Sequence, residues 1–282
     1  MAMKTITIKA KAKINLNLYV LNKREDNYHN LKSIFQKINL YDYLTLKKHK
    51  DYKMITNIPE INNENNIIYK AYLKLKDLYP KIKGVEINLQ KHIPMQAGLG
   101  GGSTDCASFL IAMNKLYNLK MTSKELEAIG VTLGADVVPC LHKGTMLVEG
   151  IGDIVTDIPN NTKYYLVIVK PSMNCSTKEM YQRIDSSNEE IIDKTDILIK
   201  ALKTNNITLI KNNLYNSFEE VVDNQDIINS IKKELLNNGS IESLMTGSGS
   251  CIFGIFKTKY MAQKAYNNMK NKYEVYICSS AK

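Results

Sequence analysis

Polar and apolar residues alternate strictly over residues 5–11, as Thr-Ile-Thr-Ile-Lys-Ala-Lys, and alternate again over residues 14–20. A period of two sends successive side chains to opposite faces of a strand, so both stretches predict β-structure. Residues 44–47, 85–89, 145–148 and 164–169 read as further strands, whereas residues 67–79 repeat their apolar positions at helical spacing. Beyond residue 170 helical patterns predominate, at 178–183, 189–202, 209–212, 225–236 and 259–272, with strands at 251–256 and 274–278. The pattern predicts an α+β protein. Two polar stretches interrupt it: the Asn-rich residues 57–66, and residues 157–163, where Pro159, Asn160 and Asn161 precede a strong strand. A chain of 282 residues has room for two cores, and the second interruption places the boundary, giving domains of residues 1–158 and 159–282.

Composition narrows the class. Apolar residues make up 44% and charged residues 23%, the balance of a folded globular protein. No apolar run approaches the roughly 20 residues that span a bilayer, and Lys4, Lys9, Lys11 and Lys13 interrupt the N-terminal stretch where a signal peptide would be hydrophobic. Five scattered cysteines (Cys106, Cys140, Cys175, Cys251 and Cys278) form no C-x-x-C pair, which argues against a disulfide framework and fits a cytoplasmic protein. The net charge of +10 is spread along the whole chain instead of being gathered on one face, so it favours a solvated surface over a nucleic-acid groove. His49, His92 and His142 lack ligand-like spacing, and no imidazole metal site is expected.

The sharpest local feature is Pro94-Met95-Gln96-Ala97-Gly98-Leu99-Gly100-Gly101-Gly102-Ser103-Thr104-Asp105. It follows the strand at 85–89 and leads into a helix carrying Ala107, Leu110, Ile111, Met113, Leu116 and Tyr117 at mostly three- and four-residue spacing. Glycines let the backbone turn and approach a ligand without a Cβ in the way. A helix starting there aims free N–H groups and the positive end of its dipole at the same place, which suits a polyphosphate. The spacing matches neither G-x-x-x-x-G-K-[ST] nor G-x-G-x-x-G. A glycine-rich turn capped by Ser103 or Thr104 is the alternative reading.

This loop closely resembles the ATP-phosphate loop of the galactokinase, homoserine kinase, mevalonate kinase and phosphomevalonate kinase superfamily. Two more blocks stand in the superfamily's order, Lys13-Ile14-Asn15-Leu16 and Thr246-Gly247-Ser248-Gly249-Ser250-Cys251-Ile252-Phe253-Gly254. Asp26-Asn27-Tyr28-His29 and Gly134-Ala135-Asp136-Val137, with Gly150 fourteen residues after Asp136, resemble the subfamily that phosphorylates 4-diphosphocytidyl-2-C-methyl-D-erythritol. One departure stands out, since the subfamily usually reads Asp-Val-Pro where this chain reads Asp136-Val137-Val138-Pro139.

The resemblance implies an N-terminal domain like one of a ribosomal protein, a ferredoxin-like C-terminal domain, and ATP with Mg2+ as the phosphate source. It assigns catalysis to Asp136 as base and Lys13 as its charge partner. Pro94, Gly98, Leu99, Gly100, Gly101, Gly102, Ser103 and Thr104 would then hold the nucleotide. Asn15, Tyr28, His29, Tyr181, Gly247, Ser248 and Gly249 would hold the diphosphocytidyl substrate, with Asn15 equally suited to orienting the catalytic pair. The expected partner is that small molecule, with neither nucleic acid nor membrane, in a cytoplasmic monomer or weak homodimer. An RNA-binding module is the rival from another class, and it lacks aromatics interleaved on a basic strand.

Overall fold

In the computed structural model the described residues are 4–160, 162–173, 175–187 and 191–282. The chain begins with two long strands, β1 (Thr5–Lys23) and β2 (His29–His49), followed by β3 (Lys53–Thr56), α1 (Ile67–Leu78) and β4 (Gly84–Gln90). Then come α2 (Gly101–Tyr117), α3 (Ser123–Val131), α4 (Val137–Leu141), β5 (Thr145–Gly150), β6 (Ile154–Ile158) and β7 (Tyr165–Lys170). The remainder is α5 (Thr177–Asp185), α6 (Thr195–Lys203), α7 (Ile207–Asn212), β8 (Tyr215–Asn216), α8 (Ser217–Val221) and α9 (Gln225–Asn237). It closes with β9 (Glu242–Met245), β10 (Ile252–Phe256), α10 (Lys259–Met269) and β11 (Glu274–Ser279). None of the helices among the described residues is long and apolar enough to cross a membrane.

Contacts divide the chain into two compact units, and neither is continuous in sequence. The first comprises residues 1–12, 40–93 and 100–142, and the second residues 13–39, 94–99 and 143–282. The polar stretch before β7 predicts a single boundary at 158/159. β1 and β2 each contribute one half to each unit, and a periodicity of two carries no mark of where a strand passes from one core to another.

In the first unit β4 pairs with β3 in parallel and with the second half of β2 antiparallel, in the register Leu44 to Leu89 and Leu46 to Ile87. Helix α1 starts at Asn66, whose side chain accepts the Ile68 N–H at 2.8 Å, and it buries Ile68, Ala71, Tyr72 and Leu75 on one face. Helix α2 is buried on nearly every side, including Phe109, Leu110, Ala112 and Met113, and forms the middle of this core. The chain leaves it through Asn118 in a left-handed conformation, a common way to stop a helix.

In the second unit the first half of β2 pairs with β5, and β5 with β6, while Asn17 and Leu18 of β1 run parallel to β8. The last four long strands form an antiparallel sheet in the order β11-β7-β10-β9, against which α9 and α10 pack. With two helices set between strands in this order, the arrangement is ferredoxin-like, as expected. Its core joins Val167, Val169, Ile252 and Phe256 to Ile228, Ile231, Leu235, Ala262 and Ala265.

Several expectations change in detail. The runs at 5–11 and 14–20 are one strand, and 44–47 is a fragment of the 21-residue β2. The helix expected at 189–202 is observed as α6, Thr195–Lys203, while Glu189, like Asn161 of the expected linker, lies outside the described residues. The departure at Val138-Pro139 has a simple basis: Pro139 is the third residue of α4, where its missing N–H breaks no intrahelical bond.

The contrast between α2 and α1 is measurable. Leu110→Ala removes a fully buried side chain and should cost about 2–5 kcal/mol in urea unfolding. Leu73→Ala, on the exposed face of α1 with 45% of its surface accessible, should stay within about 0.5 kcal/mol of the parent.

Candidate active site

The glycine loop takes the conformations its composition permits. Gly98 and Gly100 sit at φ of +72° and +67°, in the left-handed region that favours glycine. A Cβ on Gly98 would stand 1.9 Å from the Thr246 carbonyl oxygen, so no other residue fits there. Gly100 is the N-cap of α2, and the Thr104 N–H makes the first intrahelical bond, to the Gly100 carbonyl at 2.8 Å. The N–H groups of Gly101, Gly102 and Ser103 precede that bond and have no acceptor within the helix. Gly102 has open space where a Cβ would be. Thr104 is buried, and its hydroxyl donates to the Lys11 carbonyl at 2.7 Å, which gives this expected nucleotide ligand a structural duty. Pro94 and Leu99 are buried supports, and the Leu99 carbonyl accepts the Lys13 N–H at 3.0 Å.

In the second unit Lys13 and Asn15 lie together on β1, 3% and 0% exposed. A lone lysine on a strand is ordinarily solvated. Here Lys13 Nζ lies over the Phe35 ring, 4.5 Å from its centroid, and donates to Asn15 Oδ1 at 2.9 Å. The same oxygen accepts the Gly247 N–H at 3.0 Å and stands 3.2 Å from the Thr246 hydroxyl. Asn15 Nδ2 donates to Ser33 Oγ at 2.8 Å. These bonds favour Asn15 as an orienting residue over a direct substrate ligand. Gly247, at φ +57°, packs directly on Gly98, because a Cβ there would come within 2.9 Å of the Gly98 Cα. Ser248 Oγ lies 2.8 Å from Thr177 Oγ1, and Gly249 backs onto Cys175 and Met245.

Tyr28 and His29 occupy the turn from β1 into β2, which is closed by the Arg24 N–H to the Tyr28 carbonyl (2.7 Å) with Asn27 at φ +65°. The Tyr28 side chain is 59% exposed. The His29 ring is buried and stacks on Tyr181 of α5 with centroids 4.9 Å apart and planes 18° from parallel. Tyr181 meets Phe218 edge-on at 5.0 Å. Three residues distant in sequence thus form one aromatic group within this unit.

Asp136 belongs to the first unit, as the half-buried N-cap residue of α4. The same unit holds a cluster that sequence reasoning missed. Lys91, buried between two carboxylates, donates to Asp42 Oδ2 and to Asp105 Oδ2, the latter at 2.6 Å. Asp42 Oδ1 accepts the backbone N–H groups of His92 (2.5 Å) and Ile93 (2.8 Å), at the entry to the glycine loop. Burial, helped by the charge of Asp42 and opposed by Lys91, pushes the Asp105 carboxyl well above the usual range. That suits its other oxygen, Oδ1, which is buried without a hydrogen-bond partner. Among the described residues no group of three or more His, Cys, Asp or Glu is placed to hold a metal ion.

Two residues beyond the expected site, one from the Asn15 network and one from this cluster, had a signal in the sequence. Thr246 opens the C-terminal glycine block, and Asp105 closes the glycine loop. Asp42 and Lys91, 49 residues apart, had none.

Comparison with known proteins shows the family. The GHMP kinases N terminal domain matches residues 66–144 and the GHMP kinases C terminal domain residues 198–275. A 4-diphosphocytidyl-2-C-methyl-D-erythritol kinase of Clostridium botulinum (strain Eklund 17B / Type B) is 44% identical over 276 residues, covering 96% of this chain and 99% of that one. One from strain Alaska E43 / Type E3 is 44% identical over 96% of this chain and 98% of its own. A crystal structure of 4-(cytidine 5'-diphospho)-2C-methyl-D-erythritol kinase is similar with a TM-score of 0.85 and 26% identity, covering 98% of this chain and 100% of that one. With both halves matched and the kinship running nearly end to end, the chain belongs to the GHMP kinases, in the family of the 4-diphosphocytidyl-2-C-methyl-D-erythritol kinases.

Proposed function

We propose that this kinase transfers the γ-phosphoryl group of ATP to the 2-hydroxyl of 4-diphosphocytidyl-2-C-methyl-D-erythritol, a step of the non-mevalonate isoprenoid pathway. The observation that carries the reading is the kinship over 96% of the chain with relatives named for this substrate. The left-handed Gly98 and Gly100 and the first-turn amides of α2 support it, since such a helix start receives phosphate oxygens.

Phosphoryl transfer to an alcohol passes through a loose transition state, so the protein mainly positions the partners and balances charge. In the proposed step the 2-hydroxyl oxygen bonds to the γ-phosphorus as the bond to the β,γ-bridging oxygen breaks, and ADP leaves. Asp136 is assigned as the acceptor of the hydroxyl proton. Lys13, buried and oriented by Asn15, is assigned to offset the negative charge that gathers during transfer. Mg2+ supplies further charge neutralisation when bound with ATP. It commonly takes one or two protein oxygens beside phosphate and water, which Ser103 on the first turn of α2 can provide, while Asp105 is occupied by Lys91. Tyr28, His29 and Tyr181 are assigned to the cytosine base.

Replacing the assigned base without changing its shape tests the chemistry. Asp136→Asn should fold normally and lose kcat by at least roughly 10²-fold, and near-normal turnover would remove Asp136 from the mechanism. Gly100→Val forces a β-branched residue into the left-handed region at the N-cap of α2, so calorimetry should show weakened ATP binding; unchanged ATP affinity would refute the phosphate cradle at that position.

Base recognition has its own test. Cytosine presents an amino donor beside a ring-nitrogen acceptor, which the carbonyl and N–H of one extended residue can meet, and uracil reverses that pair. Mismatch should cost roughly 1–3 kcal/mol per buried hydrogen bond, a preference for the cytidine substrate on the order of 10²-fold or more in kcat/KM. Tyr28→Ala should raise KM for the cytidine form. Comparable kcat/KM for the cytidine and uridine forms would show that the base is not read.

A further inference from the structure

Asp185 is the last residue of α5, a position its helix does not explain. Carboxylates are disfavoured at a helix C-terminus, where the dipole end is negative, and the last carbonyls of α5 are met by other groups, Arg183 O by the Ser186 N–H and Ile184 O by the Ser187 N–H. What Asp185 does is bind two residues of the strand pair that ends in Tyr28. Its Oδ1 lies 2.6 Å from His29 Nε2 and its Oδ2 accepts from Lys23 Nζ at 2.6 Å. Lys23 closes β1 and His29 opens β2, so a single carboxylate clamps both ends of the turn that carries Tyr28.

The two contacts differ in weight. Lys23 is 48% exposed, and ion pairs in such settings contribute little. The His29 side chain is 6% exposed and that of Asp185 29%, so the charge-assisted bond between them is buried at the imidazole and open to water at the carboxylate. Lys23, and after it His29, hold the Asp185 carboxyl below the usual carboxylate range. An ionised carboxylate only accepts, so Nε2 of His29 must carry the proton. One helical turn earlier, Tyr181 covers the face of the same imidazole, 4.9 Å between centroids. Asp185 thus holds the ring at its edge and Tyr181 holds its face, while Phe218 fixes Tyr181 in the core.

We propose that Asp185 is a positioning and specificity-determining residue, acting through His29 to set the turn at Tyr28 and His29 for the nucleobase of a cytidine diphosphate substrate. The inference rests on the assignment of that turn and Tyr181 to the base, made above. It predicts an effect confined to one substrate, because neither Asp185 nor His29 belongs to the glycine loop.

Steady-state kinetics on the full chain, varying each substrate in turn, provide the test. Asp185→Asn should raise KM for the diphosphocytidyl substrate roughly tenfold, the loss expected of one charge-assisted hydrogen bond to a buried ring, with kcat and the KM for ATP changed less than about twofold. Asp185→Glu, which keeps the charge, should recover part of the loss. In a His29→Ala background Asp185→Asn should add little, since the partner through which it acts is gone. An unchanged KM in Asp185→Asn, alongside a raised KM in Tyr28→Ala, would overturn the role of Asp185 and leave the base site standing. Unchanged KM in both would overturn the base site as well. A fall in Tm with kcat and both KM values altered together would show a merely structural residue and likewise overturn the proposal.

Discussion

The second unit depends on the side-chain oxygen of Asn15, a buried acceptor at which two segments of the chain meet directly. Lys13 reaches it along β1, and the Gly247 amide and the Thr246 hydroxyl reach it from the C-terminal glycine block. The Thr246 hydroxyl also accepts the Asn15 N–H at 3.1 Å and faces the Gly98 carbonyl at 3.3 Å, which brings the front of the glycine loop to the same point. A buried ammonium requires an acceptor, and a buried backbone amide requires one as strictly. Asn15 meets both demands with one atom. An apolar residue of its size would leave the lysine charge and the Gly247 amide without it, so the position constrains Lys13, Thr246, Gly247 and Gly98 at once.

The first unit answers a similar demand with charge. Lys91 between Asp42 and Asp105 joins β2, the strand exit after β4 and the first turns of α2. Such a cluster adds little net stability compared with apolar packing, but losing one member strands the others in a low-dielectric interior. Its geometric effect is plain in Asp42, whose second oxygen accepts the two amides that lead into the glycine loop. The cluster therefore ties down the entry to α2, where the first-turn amides have no acceptor within the helix. Gly101 belongs to the same arrangement, since a Cβ there would come within 3.3 Å of Lys91 Nζ.

The aromatic group around His29 shows a third way of fixing a surface turn. The turn between β1 and β2 is exposed at Tyr28 and anchored one residue later by a buried ring. Its anchor comes from α5, more than 150 residues along the chain, through both stacking and a hydrogen bond. A short hairpin turn left to itself samples several conformations, and contacts from a packed helix narrow them.

Local features of the sequence determined what local physics governs. The alternation in β1, the helical spacing of α1, α9 and α10, and the glycines at 98 and 100 were all readable, because strand and helix periods and the left-handed backbone are properties of adjacent residues. The resemblance of three ordered blocks was likewise enough to name the family. The tertiary structure alone decided where the two units divide, that Lys13 is buried instead of solvated, that Thr104 spends its hydroxyl on Lys11, and which partners Asp42, Lys91 and Asp185 meet. Aspartates and lysines look alike in sequence whether they face water or one another. Only the fold brings a carboxylate to its partner across dozens of residues and removes the water that would otherwise make the meeting inconsequential.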